Sequence, residues 1–351
     1  MSLAVTASQE YRAKGIGSFD EFENRKRTKG LLSAALTSTN SASSIVSPQV
    51  ANLMRNETYG VDKKIIVLNK DNSAAGDTRS CTITASESTS ALYTLTRATA
   101  VKTMEIAPSL YGQNDVAMID DVAKKMRDIE HALALKIEDD TYTALDTNKN
   151  QTYNSSLVGV GLDYELTANR MQVDANHQED FFNDLKPIMM ADDVDYTRGV
   201  QVIGDAALMS NVNKYINQGS GNATNLQYQF AGYDFTFSNA VTTTAGARST
   251  GIALPLGQLG LLFQNTPDAE RRAVADNAKW YTMTMPENLL GTPVSVLEKS
   301  TCGDVTAFGT APVGLEASQV IQYEFSVDYY ILTPYTSVAA ESPYYAFDFV
   351  A

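Results

Sequence analysis

Residues 115–146, DVAMIDDVAKKMRDIEHALALKIEDDTYTALD, carry one unbroken helical pattern. Val116, Ile119, Val122, Met126, Ile129, Leu133 and Ile137 recur at intervals of three and four, which places them on one stripe of an α-helix. Asn114 suits the N-cap, and Asp115 sits where the helix dipole favours an acid. Neither Pro nor Gly interrupts the pattern before the polar TNKNQ turn at 147–151. A helix of this kind spans about 45 Å. Its single apolar stripe needs a surface to lie on, and the sheet-rich sequence that follows offers one.

At 351 residues the chain has room for about two domains. Its hydrophobic content of 44% supports a sizeable core. A formal charge of −14 makes general nucleic-acid binding unfavourable, because phosphate neutralisation needs clustered Lys and Arg. The two cysteines, Cys81 and Cys302, are too few for a disulfide framework and read as free thiols in a reducing compartment. No cationic segment followed by an apolar one marks a signal peptide at the N-terminus. The uncharged window near 249–267 is broken by Pro255, Gly257, Gln258 and Gly260, so it does not read as a membrane span.

Taken in order, residues 1–57 read as an arm. Ser18 and Glu21 form a capping box for a short helix running to Lys29, closed by Gly30. The RKRTK run at 25–29 reads as that helix's solvated last turn, ahead of contact with nucleic acid. Eight of the fifteen residues from Ser33 to Ser47 are Ser or Thr, which predicts a surface-spanning or mobile segment. Residues 58–107 read as an extended β-hairpin. KKIIVLN (63–69) pairs with RSCTITA (79–85), and ALYTLTRAT (91–99) with VKTMEIA (101–107). Leu92, Thr94 and Thr96 alternate with Tyr93, Leu95 and Arg97, so the ribbon reads as polar on both faces and must lie on something else.

After the long helix, 152–177 is weakly patterned. Residues 179–191 resume a helix with Phe181, Phe182, Leu185 and Ile188 inward and Pro187 as a kink. A strand at 199–204 precedes a helix capped by Asp205 and stopped by Gly219. Further strands are expected at 230–239, within 251–263, at 280–285, 292–298 and 318–334. In the last of these Tyr323, Phe325, Val327, Tyr329 and Ile331 alternate with Glu324, Ser326 and Asp328. The aromatic run at 344–349 is expected to pair beside it. No repeat of 20–50 residues occurs, which argues against propellers and solenoids.

Chemistry-bearing motifs are absent from the sequence. Its two histidines, His131 and His177, read as surface or boundary residues, and no pair spaced i, i+4 forms a zinc motif. Asp120, Asp121 and the Glu138–Asp140 run read as a solvated helix face. Asp192, Asp193 and Asp195 resemble the start of a calcium loop, but Arg198 stands where that loop needs Gly, and Gly204 where it needs Glu. The pairs Gly15/Gly17, Gly159/Gly161 and Gly219/Gly221 each lack the third glycine of a dinucleotide fingerprint, and neither a phosphate-binding loop nor a nucleophile elbow is present. The sequence therefore nominates no catalytic, cofactor-binding or metal-ligating residue, and no cofactor.

Two stretches carry a resemblance. IAPSLYGQNDVAMIDDVAKKMRDIEHALALKIEDDTYTAL, and VQVIGDAALMSNVNKYIN followed by YQFAGYDFTFSNAV, resemble the major capsid proteins of tailed double-stranded DNA bacteriophages, the HK-ninety-seven fold. The similarity covers roughly residues 58–300. It implies an α+β fold with an N-terminal arm (1–57), an extended hairpin (58–107), a peripheral domain (108–165 and 266–317) whose spine helix is 115–146, and a mixed α/β axial domain (166–265 and 318–351). It also implies a non-enzymatic subunit that self-assembles into the hexamers and pentamers of an icosahedral capsid in the virion, made in the bacterial host cytoplasm. Its arm and hairpin would reach neighbouring copies. Scaffold, portal, cement or decoration proteins would be further partners, the packaged DNA would be touched weakly and without specificity, and no membrane is involved. A chain that starts at the arm would be a mature form or one served by a separate scaffold. Lys-to-Asn cross-linking occurs in some members, but nothing around Lys70 carries that chemistry over. Competing readings are an encapsulin-like compartment shell, an acidic hydrolase using paired carboxylates, and a tail or adhesin module.

Overall fold

The long helix is present as Asp115–Thr147, and its apolar stripe is the seam of the molecule. The computed structural model describes residues 3–14, 30–40, 44–56, 62–69, 89–111, 115–149, 164–178, 180–218, 232–264, 278–304, 317–336 and 341–351. In chain order the described elements are α1 (Leu3–Lys14), α2 (Gly30–Asn40), α3 (Pro48–Asn56), β1 (Asp62–Leu68), β2 (Ser90–Thr96), β3 (Ala98–Ile106), a 3-10 turn (Pro108–Tyr111) and the spine α4 (Asp115–Thr147). Next come β4 (Glu165–Thr167), β5 (Arg170–Val173), α5 (Phe181–Ala191), β6 (Val200–Gly204), α6 (Ala206–Gln218) and β7 (Tyr233–Phe237). The rest are β8 (Ser249–Pro255), β9 (Gly260–Gln264), β10 (Ala278–Met283), β11 (Val294–Asp304), β12 (Ala317–Leu332) and β13 (Tyr345–Phe349). The fold is α+β.

One side of the spine lies on a five-stranded sheet ordered β10-β11-β12-β3, with β9 also bonded to β12. The alternation expected in β12 explains this contact. Tyr323, Phe325, Val327 and Tyr329 are buried on the face that meets Val122, Met126, Ile129, Leu133 and Ile137 in one core. Val116, the first residue of the expected stripe, is an exception at 70% exposure. The Tyr329 hydroxyl donates to Asp140 on the spine, and burial together with that carboxylate raises the phenol well above its usual range. β12 is the shared strand. β11 pairs it over Ala317–Ser326, β9 over Asp328–Leu332, and β3 flanks it over Ile321–Tyr329.

The second sheet runs β4-β5-β13-β8-β6-β7. Its central strands β13, β8 and β6 are buried throughout, as expected for a layer covered on both faces. One face joins the spine core through Ile203, Ile252, Leu254 and Ala346. The other carries α5 and α6 on a second core of Phe181, Phe182, Leu185, Val202, Leu208, Phe347 and Phe349. Phe181 and Phe347 pack with their rings tilted at 48° and centroids 4.7 Å apart. The neighbouring strands meet at Gly204 and Gly251, and a Cβ on Gly204 would lie 2.2 Å from Leu208 Cδ2. Leu208 fills the space these glycines leave. The expected cap of α6 is also present, with Asp205 Oδ1 accepting from the Leu208 N–H at 2.7 Å.

Two expectations about these elements need correction. The run 344–349 does not pair beside 318–334. It forms β13 between β5 and β8, parallel to the first and antiparallel to the second. β12 itself is hydrogen-bonded to β11 and β3 in the spine's sheet. Finally, the Ser/Thr-rich stretch neither spans a surface nor stays mobile through 30–40. It is helix α2, with Leu31, Leu32 and Ala35 buried in the main core. Its hydroxyls bond back to the helix itself, Thr37 to Ser33 O and Thr39 to Ala35 O.

Thr39 also accepts the Leu261 N–H of β9 at 2.6 Å. Thr39→Val keeps the volume and strands that buried N–H. Chemical denaturation is expected to show a loss of about 1–3 kcal/mol, largely restored in Thr39→Ser.

Candidate assembly surface

β1 and β2 form a separate two-stranded ribbon with register Lys63↔Leu95, Ile65↔Tyr93, Ile66↔Leu92 and Leu68↔Ser90. A two-stranded ribbon is marginal alone, and this one is held down along one face. Its inward residues Ile65, Tyr93 and Leu95 pack with Leu262, Tyr330 and Leu332 of β9 and β12, and with Ala51 and Met54 of α3. Tyr93 packs against Tyr335 with tilted rings, centroids 5.5 Å apart, and the Tyr335 hydroxyl donates to Asn69 Oδ1 at 3.1 Å.

The outward face consists of alternate residues. Asp62, Lys64, Ile66 and Leu68 lie on β1, and Ser90, Leu92, Thr94 and Thr96 on β2. Ile66, Leu68 and Leu92 are 74%, 70% and 59% exposed. Ile66 and Leu92 are direct cross-strand partners, and Leu68 follows on the same face. The three side chains form a contiguous exposed apolar stripe on a chain of net charge −14. The ribbon is therefore not polar on both faces. Its pairing also differs from expectation, because β1 pairs with 90–96, and β3 leaves the ribbon to pair with β12. Residues 79–85 lie outside the described residues.

The spine carries acids that are not solvated. Glu138 is fully buried, and its Oε1 accepts the Leu31 N–H at 3.0 Å and the Ser238 hydroxyl at 2.8 Å. It thereby fixes the start of α2 and the end of β7 to the spine. Glu130, also fully buried, accepts the Glu287 N–H at 2.8 Å and the Leu289 N–H at 2.6 Å. His131 is buried rather than at the surface, with Nε2 2.6 Å from Glu287 Oε2. The expectation of a solvated face holds for Asp120, 61% exposed and paired with Lys124, and fails for Glu138. His177 is at the surface, with Nδ1 2.9 Å from Asp174.

A third anchor joins the spine's end to the six-stranded sheet. Arg170 of β5, almost fully buried, donates to Asp146 of α4 and lies 3.5 Å from Asp348 of β13. Asp348 also accepts the hydroxyls of Thr244 and Thr250 at 3.0 and 2.8 Å. Burial alone would raise the Asp146 carboxyl, but Lys149 and Arg170 outweigh it and hold it below the usual range.

The acid run at 192–195 is divided between separate tasks. Asp192 accepts the Tyr345 hydroxyl, and Asp195 accepts from Thr197. Among the described residues no group of three His, Cys, Asp or Glu is placed to hold a metal ion. No described helix is long and apolar enough to cross a membrane. A cavity of about 490 Å³ between α2 and β7 has a single acidic wall residue, Asp234. Burial raises the Asp184 carboxyl, which takes a 2.6 Å hydrogen bond from Tyr164 and belongs to the second core's rim. Cys302 is an exposed free thiol on β11. The capping box at Ser18, the 25–29 run, Lys70, Cys81, Asn114 and the three glycine pairs lie outside the described residues.

No protein-family model and no curated protein matches the chain. Several solved structures are similar to it. One, described as Mycobacterium phage Adephagia, is 11% identical with a TM-score of 0.48 over 97% of this chain and 96% of that one. The capsid of Myoviridae phage XM1 is 9% identical with a TM-score of 0.45 over 96% and 97%. The capsid structure of cyanophage P-SCSP1u is 11% identical with a TM-score of 0.43 over 85% of each chain. All three scores are below 0.5.

Proposed function

We propose that this chain is a non-enzymatic shell subunit, a phage major capsid protein of the HK-ninety-seven kind, which assembles into the hexamers and pentamers of an icosahedral capsid around double-stranded DNA. The observation that carries this reading is the ribbon. One face is fixed to its own subunit, and the other presents Ile66, Leu68 and Leu92 to solvent. Distributed contacts of this kind, repeated over many copies, are how closed shells are held. The spine and five-stranded sheet form the peripheral body in this reading, and the six-stranded sheet with α5 and α6 forms the axial one. Its place is the virion. The net charge of −14 keeps attraction to the enclosed DNA weak.

Negative-stain microscopy of the purified chain tests this directly. Closed particles of uniform diameter are expected, and a monodisperse small monomer at high concentration would overturn the assignment. Extraction of double-stranded DNA from particles made in the native host separates this reading from a compartment shell, whose contents would be protein.

A further inference from the structure

Of the N-terminal helices, α1 and α2 dock on the body differently. α2 buries Leu31, Leu32 and Ala35 and is tied down through Glu138 and Thr39. Among the described side chains of α1 the fully buried ones are small, Ala4, Ala7 and Ser8, while Leu3, Val5 and Tyr11 are partly covered. Alanine methyls release little free energy on burial, so polar contacts decide whether α1 stays down.

Two of those contacts reach one loop, and the Tyr11 hydroxyl also faces Arg127 of the spine. Ser8 Oγ donates to Thr284 O at 2.9 Å, and the Tyr11 hydroxyl donates to Glu287 Oε1 at 3.1 Å. The loop itself is organised from the spine. Glu130 holds the N–H groups of Glu287 and Leu289, and His131 holds Glu287 Oε2. The carboxylate therefore has one oxygen engaged by the spine and the other turned to α1.

We infer that α1 is a releasable strap. It lifts from the spine as a unit while the rest of the subunit stays folded, and the contacts of the Tyr11 hydroxyl with Glu287 and Arg127 set its closing equilibrium. The inference does not depend on the shell assignment, since it concerns the isolated subunit.

Hydrogen exchange with peptide-level readout on the full chain tests it. Amides of α1 are expected to exchange at least about tenfold faster than those of α2 and the spine, through a local opening. Tyr11→Phe, which removes one hydroxyl and leaves the ring, is expected to speed α1 exchange about tenfold with α2 unchanged. Ser8→Ala is expected to act in the same direction and by less. Equal exchange of α1 and α2 in the wild type would overturn the inference. So would a Tyr11→Phe effect spread evenly over the subunit, or no effect on α1.

Discussion

Replacing Ile66 and Leu92 together by Asp is expected to abolish particle formation and leave the subunit folded. Both side chains are largely solvent-exposed in the isolated subunit, so little intrachain burial is lost. Surface changes of this kind usually move stability by less than about 0.5 kcal/mol. In an interface the balance reverses. The two residues sit opposite each other in the β1–β2 register, so the variant places two carboxylates side by side where apolar cover is needed. Like charges directly opposed on a ribbon repel, and desolvating unpaired carboxylates costs several kcal/mol more. The penalty recurs at every copy. Sedimentation velocity and microscopy should find only small species, with the melting temperature within a few degrees of wild type. Normal particles in normal yield would show that this face is not a shell contact.

Arg170→Met is expected to cost about 3–5 kcal/mol, because it removes the cation between two carboxylates and leaves Asp348 buried without it. The damage should be specific in place. Asp146 closes the spine and Asp348 lies mid-sheet, so the junction between spine and six-stranded sheet loosens first. The same anchor gives the protein an acid limit. Asp146 is held below the usual carboxylate range in the folded state, so its contribution is present above the unfolded value and is lost as pH falls below about 4. Partial exposure of Asp146 keeps that contribution modest. Denaturation between pH 3 and 7 should show the gap between wild type and Arg170→Met narrowing at the acid end. A gap independent of pH would remove Asp146 from this account.

What the sequence made legible follows the range of the forces involved. The spine was readable almost to the residue, 115–146 against Asp115–Thr147, because its stripe is a local repeat. The Asp205 cap and the buried faces of α5 and β12 were readable for the same reason. Glu138 was not. An acid between residues that alternate in and out of water looks solvated until its partners are known, and those partners are Leu31 and Ser238, far along the chain. His131 depends in the same way on Glu287. The strand order was hidden too, since the aromatic alternation in 344–349 fits any buried sheet. α2 did leave a signal. Leu31, Leu32, Ala35 and Leu36 mark a helical stripe, but the density of Ser and Thr around them concealed it.

The position of β13 has a consequence for how the molecule is made. This strand alone joins β5 on one side to β8 on the other. Until residues 345–349 emerge from the ribosome, the two portions of that sheet expose unpaired edges where the finished protein has a closed interior. At ordinary elongation rates the wait after β8 is roughly 5–20 s, a window in which a binding chaperone would find its target. A truncated translation product ending before residue 345 would keep those edges open and would be more prone to aggregation than a competitor for assembly.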